Sequence, residues 1–248
     1  MAKQTGLGDN FYVGGYNLSG DTASLTTIGG GPEPLEVTGI DKSALERAGG
    51  LKTGTLEFTS WFNKAAAQEH VALSPLPTAD VVACYFRGTT VGNPAAGMTG
   101  KQLNYDPSRD SDGALTIDVE MLSNGFGIDW GKSLTAGVAT ISGAGNGTAV
   151  DFGADADLGA QAYIQVISFT GTDVTIIIQD SANGSSGWAA VTGLGFTQIT
   201  GSNTAERVAS GRTENVKRYL RYNAATSGGF SDLQFAVVAN QNVTDTQL

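Results

Sequence analysis

Between Thr53 and Phe62 polar and apolar residues alternate. Leu56, Phe58 and Ser60 fall on one side and Thr55, Glu57, Thr59 and Trp61 on the other, which predicts a strand with one face turned to a core. From Lys64 to Leu73 the two-residue period is lost. The alanines with Gln68 and Glu69 favour helix, His70, Val71 and Leu73 form its later turn, and Pro75 and Pro77 stop it. A second strand is predicted over Ala79 to Phe86. This strand–helix–strand unit, Gly50 to Arg87, holds the chain's one convincing helix, and one face of the sheet should carry it.

Around it the pattern is that of strands and turns. Residues 1–20 suggest a short strand or arm. The run GGGPEPLEVTGI reads as a loop, because glycine and proline punctuate it, and Asp41 followed by KSALERAGG reads as one short helical turn. GTTVGNPAAGMTG predicts a glycine-rich connection, Lys101 to Tyr105 a strand, and DPSRDSDGA a charged loop. Leu115 to Leu122 alternates cleanly as a half-buried strand. Beyond it, YIQVISF, TDVTIIIQDS, WAAVTGLGFTQI, ERVAS, VKRYLRY and LQFAVVAN have the spacing of a β-sandwich, with a hairpin-type turn at Asn183-Gly184. Thr135 to Asn146 collapses to small residues, which places a boundary near Ser142. The expected class is all-β with one short helix. The expected division is a first β domain over residues 1–142 with the helix at its flank, a linker at 143–149, and a C-terminal β-sandwich over 150–248.

Composition agrees with that texture: 35 glycines, 15% charged residues and 40% apolar residues in a chain of 248. The formal net charge of −10 argues against a general nucleic-acid-binding surface, although an acidic surface can serve DNA by repelling it. One cysteine, Cys84, sits in the apolar run VVACYF, so no intramolecular disulfide is expected and the thiol should be a small buried hydrophobe. The opening MAKQTGLGDNFYVGG has no signal-type apolar region, and no run approaches the length of a membrane span, so secretion by signal peptide and membrane anchoring are both disfavoured. The sequons at Asn17, Asn146, Asn183 and Asn242 then read as turn residues.

Candidate chemistry is thin. A catalytic triad would have to use the lone His70, which lies on the predicted helix with no nucleophile motif nearby, and Gly-x-Ser-x-Gly is absent. GFGIDWGKS has Phe126 where a phosphate loop needs its first glycine, and reads as a structural turn. SRDSDG matches a calcium loop at Asp110, Asp112 and Gly113, but Ser108 and Val119 stand where it needs acids. Asp151, Asp155 and Asp157 form an acidic patch without a histidine or cysteine partner. No catalytic, cofactor or metal residue is therefore assigned. The remaining candidates are for interaction: Asn104, Tyr105, Asp106, Arg109, Asp110 and Asp112 in the charged loop, and Lys217, Arg218 and Arg221 from a cluster that also holds Arg207 and Arg212. That cluster reads as a solvated strand face, an intersubunit salt-bridge patch or a nucleic-acid site.

GLKTGTLEFTSWFN followed by a short helix, together with GKQLNYDPSRDSDGALTIDVEMLSNGFGIDWG, resembles the major tail tube proteins of long-tailed (siphovirus-like) bacteriophages, over roughly Asp9 to Gly137. The second half is similar to β-sandwich domains of phage tail and virion proteins. The resemblance implies a tail-tube-type β-sandwich or barrel with an added outer domain. It implies a non-enzymatic subunit that self-assembles into stacked rings, usually hexameric, with a trimer of duplicated folds as a variant. Its partners would be copies of itself, other tail proteins, and DNA passing through the lumen without specific binding. It would be made in the bacterial cytoplasm and reside in the virion. A capsid decoration or tail-tip protein, or a carbohydrate-binding β module using Trp61, Trp130 and Trp188, are the other functions compatible with the sequence.

Overall fold

The computed structural model describes residues 5–243. The first half contributes β1 (Asn10–Val13), β2 (Tyr16–Asn17), β3 (Thr22–Glu36), β4 (Arg47–Trp61), the short helix α1 (Glu69–Leu73), β5 (Val81–Phe86), β6 (Pro94–Gln102), β7 (Asp106–Arg109) and β8 (Leu115–Ser133). The second contributes β9 (Ala139–Ile141), β10 (Gly145–Asn146), β11 (Val150–Asp151), β12 (Ala160–Gly171), β13 (Thr175–Ser181), β14 (Ala189–Gly195), β15 (Thr204–Ala209), β16 (Tyr219–Ala225) and β17 (Phe230–Gln241). The class is all-β with one short helix, as its alternating patterns predict.

Twelve strands form one antiparallel sheet along the path β15-β12-β17-β8-β6-β5-β1-β2, with β3–β4 and β7 joined to it at β8 and β9 at β17. The path curls until its ends meet. Gly15, in the β1–β2 turn, lies so close to β15 that a Cβ there would stand 2.4 Å from the Thr204 nitrogen. Gly15 has φ +86°, a conformation and a proximity that only glycine supplies. Its N–H donates to the buried Gln165 Oε1 of β12 at 2.6 Å, and Gln165 Nε2 donates to the Val82 carbonyl of β5 at 2.9 Å. A second, five-stranded sheet, β10-β16-β13-β14 with β11 on β16, covers the outer face of the β12–β17 pair.

Three apolar layers result, and the strand period explains each. In β1 and β5, Phe11, Val13, Ala83 and Tyr85 face one core with Leu56, Phe58, Leu73, Met98, Ile117, Val119 and Met121. The intervening Tyr12, Val82, Cys84 and Phe86 face a second core with Tyr163, Ala236 and Val238 of β12 and β17. Ala162, Ile164, Val166, Phe235 and Val237, on the opposite faces of β12 and β17, pack on Ile176, Ile178, Leu220 and Tyr222 of the small sheet. The run FAVVA of β17, Phe235 to Ala239, is thus apolar throughout because both faces are buried. The Cys84 thiol lies in the middle layer, where burial pushes its pKa up to about 12.

Six expectations are corrected. GGGPEP is a strand, not a loop: β3 pairs with β4 from Thr22↔Ser60 to Glu36↔Arg47, with register shifts between Thr22 and Ser24, Leu25 and Thr27, and Pro32 and Pro34. As β3 has a partner on one side only, Pro32 and Pro34 withhold no ladder bond from a second neighbour. Residues 41–50 form no helical turn; they are the end of that hairpin and the start of β4. The helix expected from Lys64 begins only at Glu69, because Ala67 takes φ +59° and Gln68 is extended. In place of a local cap, the Asp21 carboxylate accepts the Glu69 N–H at 3.1 Å. Finally, the connection GTTVGNPAAGMTG is largely β6, DPSR is β7 paired along β8, and GFGIDWGKS lies inside β8.

Candidate functional site

The β3–β4 hairpin leaves the sheet as an arm. Its lower part is anchored by Leu56, Phe58 and Ser60 in the core, but from Pro32 to Gly49 almost every residue is exposed, so neither face rests on a core. The ladder continues to the end: the Val37 N–H donates to Glu46 O at 3.0 Å, and the Lys42 N–H closes the turn on Gly39 O at 3.1 Å. On this end stand Leu35, Val37, Ile40 and Leu45, all more than half exposed and Ile40 completely so. Lys42 pairs with Glu46 at 3.5 Å and with Asp41 at 4.0 Å, so that one lysine faces the three acids Glu36, Asp41 and Glu46.

At the base of the arm is a groove of about 720 Å³ between β4, β8 and the β12–β15 edge of the second half. It exists because β8 bulges. Met98 of β6 pairs with Ile128 and Gly100 with Ser123, so the residues between are expelled from the ladder, with Gly125 at φ +74°. Phe126 is carried out on that bulge, and the Arg207 guanidinium stacks on its ring at 3.6 Å. The Arg207 Nε–H also donates to the Tyr163 hydroxyl at 3.1 Å, while that hydroxyl donates to Asp129. Burial and the neighbouring Asp129 push the Tyr163 pKa up, so it remains a neutral donor. Lys52 and Arg212 also line the groove, as do Leu51, Leu122 and Leu158. Among the described residues none of Lys52, Arg207 and Arg212 is in an ion pair.

The expected interaction residues fall in two places. The Asn104 Oδ1 accepts the Glu120 N–H at 2.7 Å and its Nδ2 donates to Asp106 at 2.7 Å. The Tyr105 hydroxyl lies 2.7 Å from His70 Nδ1, which gives the lone histidine a place at α1. Arg109, Asp110 and Asp112 form the exposed end of the β7–β8 hairpin, where Asp112 Oδ1 accepts the Ala114 N–H at 3.0 Å. The basic cluster separates. Arg218 makes a two-pronged pair with Asp151 at 2.6 Å, which holds that carboxylate well below its ordinary pKa. Arg221 reaches Gln179 Oε1 at 2.8 Å and lies over the Trp188 ring at 4.1 Å. Lys217 is tied through its backbone, N–H to Asp180 and C=O from Gln241. The acidic patch and the basic cluster, read apart in the sequence, thus meet in one chain.

A third feature, besides the arm and the groove, has no signal in the sequence. Glu69 is fully buried under α1, and neither carboxyl oxygen has a hydrogen-bond partner. Burial, with Asp21 adding repulsion and the Asn63 backbone offsetting part, raises its pKa to about 7.

No family model matches the chain, and no curated protein does. Among solved structures it is similar to a chain in the tail of an empty GTA particle computed with C6 helical refinement, at 14% identity and a TM-score of 0.41, over 50% of this chain and 96% of that one. It is also similar to the SPP1 Dit protein, described as a hub adsorption apparatus in Gram-positive infecting phages, at 8% identity and a TM-score of 0.33, over 93% and 98% of the two chains. A chain of the phage p2 baseplate in its activated conformation with Sr gives 7% identity and a TM-score of 0.35, over 94% and 98%.

Proposed function

We propose that this chain is a non-enzymatic structural subunit of a phage-type tail, a major tail tube protein that self-assembles into stacked hexameric rings around a DNA-conducting lumen. The observation that carries the reading is the arm: a strand pair sent away from every core, with Leu35, Val37, Ile40 and Leu45 exposed at its end. Exposed apolar side chains clustered on one projection mark an association surface, and full burial of each is worth about 1.5–3 kcal/mol. The sequence resemblance over roughly Asp9 to Gly137 supplies the tail tube, and the net charge of −10 suits a channel wall from which DNA must slide free. The test is electron microscopy of the purified protein at high concentration together with size-exclusion chromatography. Rings or tubes with an open lumen are expected. A compact monomer at every concentration overturns the reading.

A further inference from the structure

We infer that the groove at the base of the arm receives the arm end of a second copy of this chain. The inference rests on the self-assembly proposed above and names the receiving surface. The two surfaces match in chemistry. The donor end, Leu35 to Ala48, offers four exposed apolar side chains and a net charge of −1 from Glu36, Asp41 and Glu46 against Lys42 and Arg47. The groove offers exposed Leu51, Leu122 and Phe126 beside Lys52, Arg207 and Arg212, cations without an ion-pair partner among the described residues. Its two acids, Glu33 and Asp129, are outnumbered by the three cations, and Asp129 accepts from the Tyr163 hydroxyl. In a chain with ten excess negative charges, a groove whose lining is net positive and partly apolar suits an acidic apolar segment.

The donor must be another molecule. The groove is lined by Glu33 and by Leu51 to Thr55, which belong to the arm itself, and Ile40, in the turn that closes the arm, lies seven positions beyond Glu33. At the rise of an extended strand that is roughly 20 Å. The ladder stays closed through Val37 and Glu46, so the arm does not fold back onto its own base. A contact between two different patches on identical chains is head-to-tail, and repetition closes a ring or extends a fibre.

Cross-linking between two single-site variants tests the contact. Cys84 is buried, with its thiol held protonated, and does not compete. Ile40→Cys and Leu122→Cys proteins are mixed under mild oxidation, and a hetero-dimer carrying one of each is expected in excess over either homo-dimer. In parallel, Lys52→Glu with Arg212→Glu, and separately Ile40→Asp, should each weaken association at least about tenfold while circular dichroism and melting stay those of the wild type. Adding salt should weaken the wild-type contact in the same direction. Rings or tubes that form without the hetero-cross-link, and that tolerate both sets of substitutions, overturn the groove while leaving the tube reading intact. The hetero-cross-link in open fibres or dimers, without rings, upholds the groove and overturns the tube. A wild-type protein that never associates overturns both.

Discussion

The ring of Tyr163 lies directly on Gly97. A Cβ at residue 97 would stand 2.4 Å from the ring, and the Tyr163 hydroxyl reaches Asp129 on the neighbouring strand. β12 is thereby seated on β6, so the second half of the chain is registered against the first by a missing side chain. Gly97→Ala should force the ring off its seat at a cost of about 1–3 kcal/mol, the usual range for overpacking. Denaturant unfolding of Gly97→Ala beside Tyr163→Leu checks this. If the alanine variant unfolds at the wild-type midpoint, the ring has room to move and the seat does not hold the halves together.

Glu69 makes stability depend on pH. Its folded-state pKa of about 7 lies above the ordinary 4.5, so the fold favours the protonated acid. The contribution is fully present below about 4.5 and is lost as pH rises through about 7. A rise of that size is worth up to about 3 kcal/mol, less to the extent that water reaches the carboxyl. Facing groups are Asp21 from the β2–β3 turn and Tyr105 before β7, with His70 on α1 itself bound to the Tyr105 hydroxyl. Glu69→Gln should be more stable than the wild type at about pH 8 and similar to it at about pH 4. Parallel stability curves for the two proteins across that interval would remove Glu69 as the cause.

The sequence made the inner strands legible and the arm illegible, for one physical reason. The first part of β8 buries one defined face, and burial writes a period of two into its residues, as in Ile117, Val119 and Met121, while β12 and β17 bury both faces and read as short apolar runs. The outer arm buries nothing within its own chain, so GGGPEP carries only its local turn signal, while the pairing of β3 with β4 is a long-range fact. The short α1 shows a similar limit: Lys64 to Gln68 has helix formers, yet Asp21, far away in sequence, fixes the start at Glu69. In the groove, Phe126 was hidden inside a glycine-rich phrase, and its partner Arg207 lies in the other half of the chain. Arg218 and Asp151 each stand out in the sequence, but their pairing spans 67 positions and no local pattern encodes it.

The division at 143–149 is proposed on the separateness of two of the three cores. The inner core draws on residues up to Ile128, and the outer one almost wholly on residues from Leu134 onward. Residues 150–248 expressed alone should show β-type circular dichroism and cooperative melting. The fragment exposes the middle-layer face of Tyr163, Ala236 and Val238, so Ala236→Lys with Val238→Thr should raise its solubility without lowering its melting temperature. A disordered spectrum from both the fragment and its double variant would show that the halves fold as one unit.

The β7–β8 hairpin is the remaining candidate contact between copies. Asn104 and Tyr105 are committed inside the chain, one holding the Glu120 N–H and the other His70, and β7 is paired with β8 from Asp106↔Asp118 to Arg109↔Leu115. Ordering of this segment therefore does not wait for a neighbour. What a neighbour could use is the outer edge: all four residues of β7 are exposed, and Arg109, Asp110 and Asp112 crowd charge onto the turn beyond it. Edge strands with unpaired backbone groups are ready templates for another chain, and charge at such an edge selects which chain is admitted. Arg109→Ser, Asp110→Ser and Asp112→Asn together leave Asn104, Tyr105 and the ladder in place. Stability of the monomer should change by no more than about 0.5 kcal/mol, because surface substitutions away from structural contacts rarely do more, while tube formation at a fixed concentration should fall. Sedimentation of the triple variant and the wild type at matched concentrations decides the matter: equal yields of normal tubes would reduce the hairpin to a connection between strands.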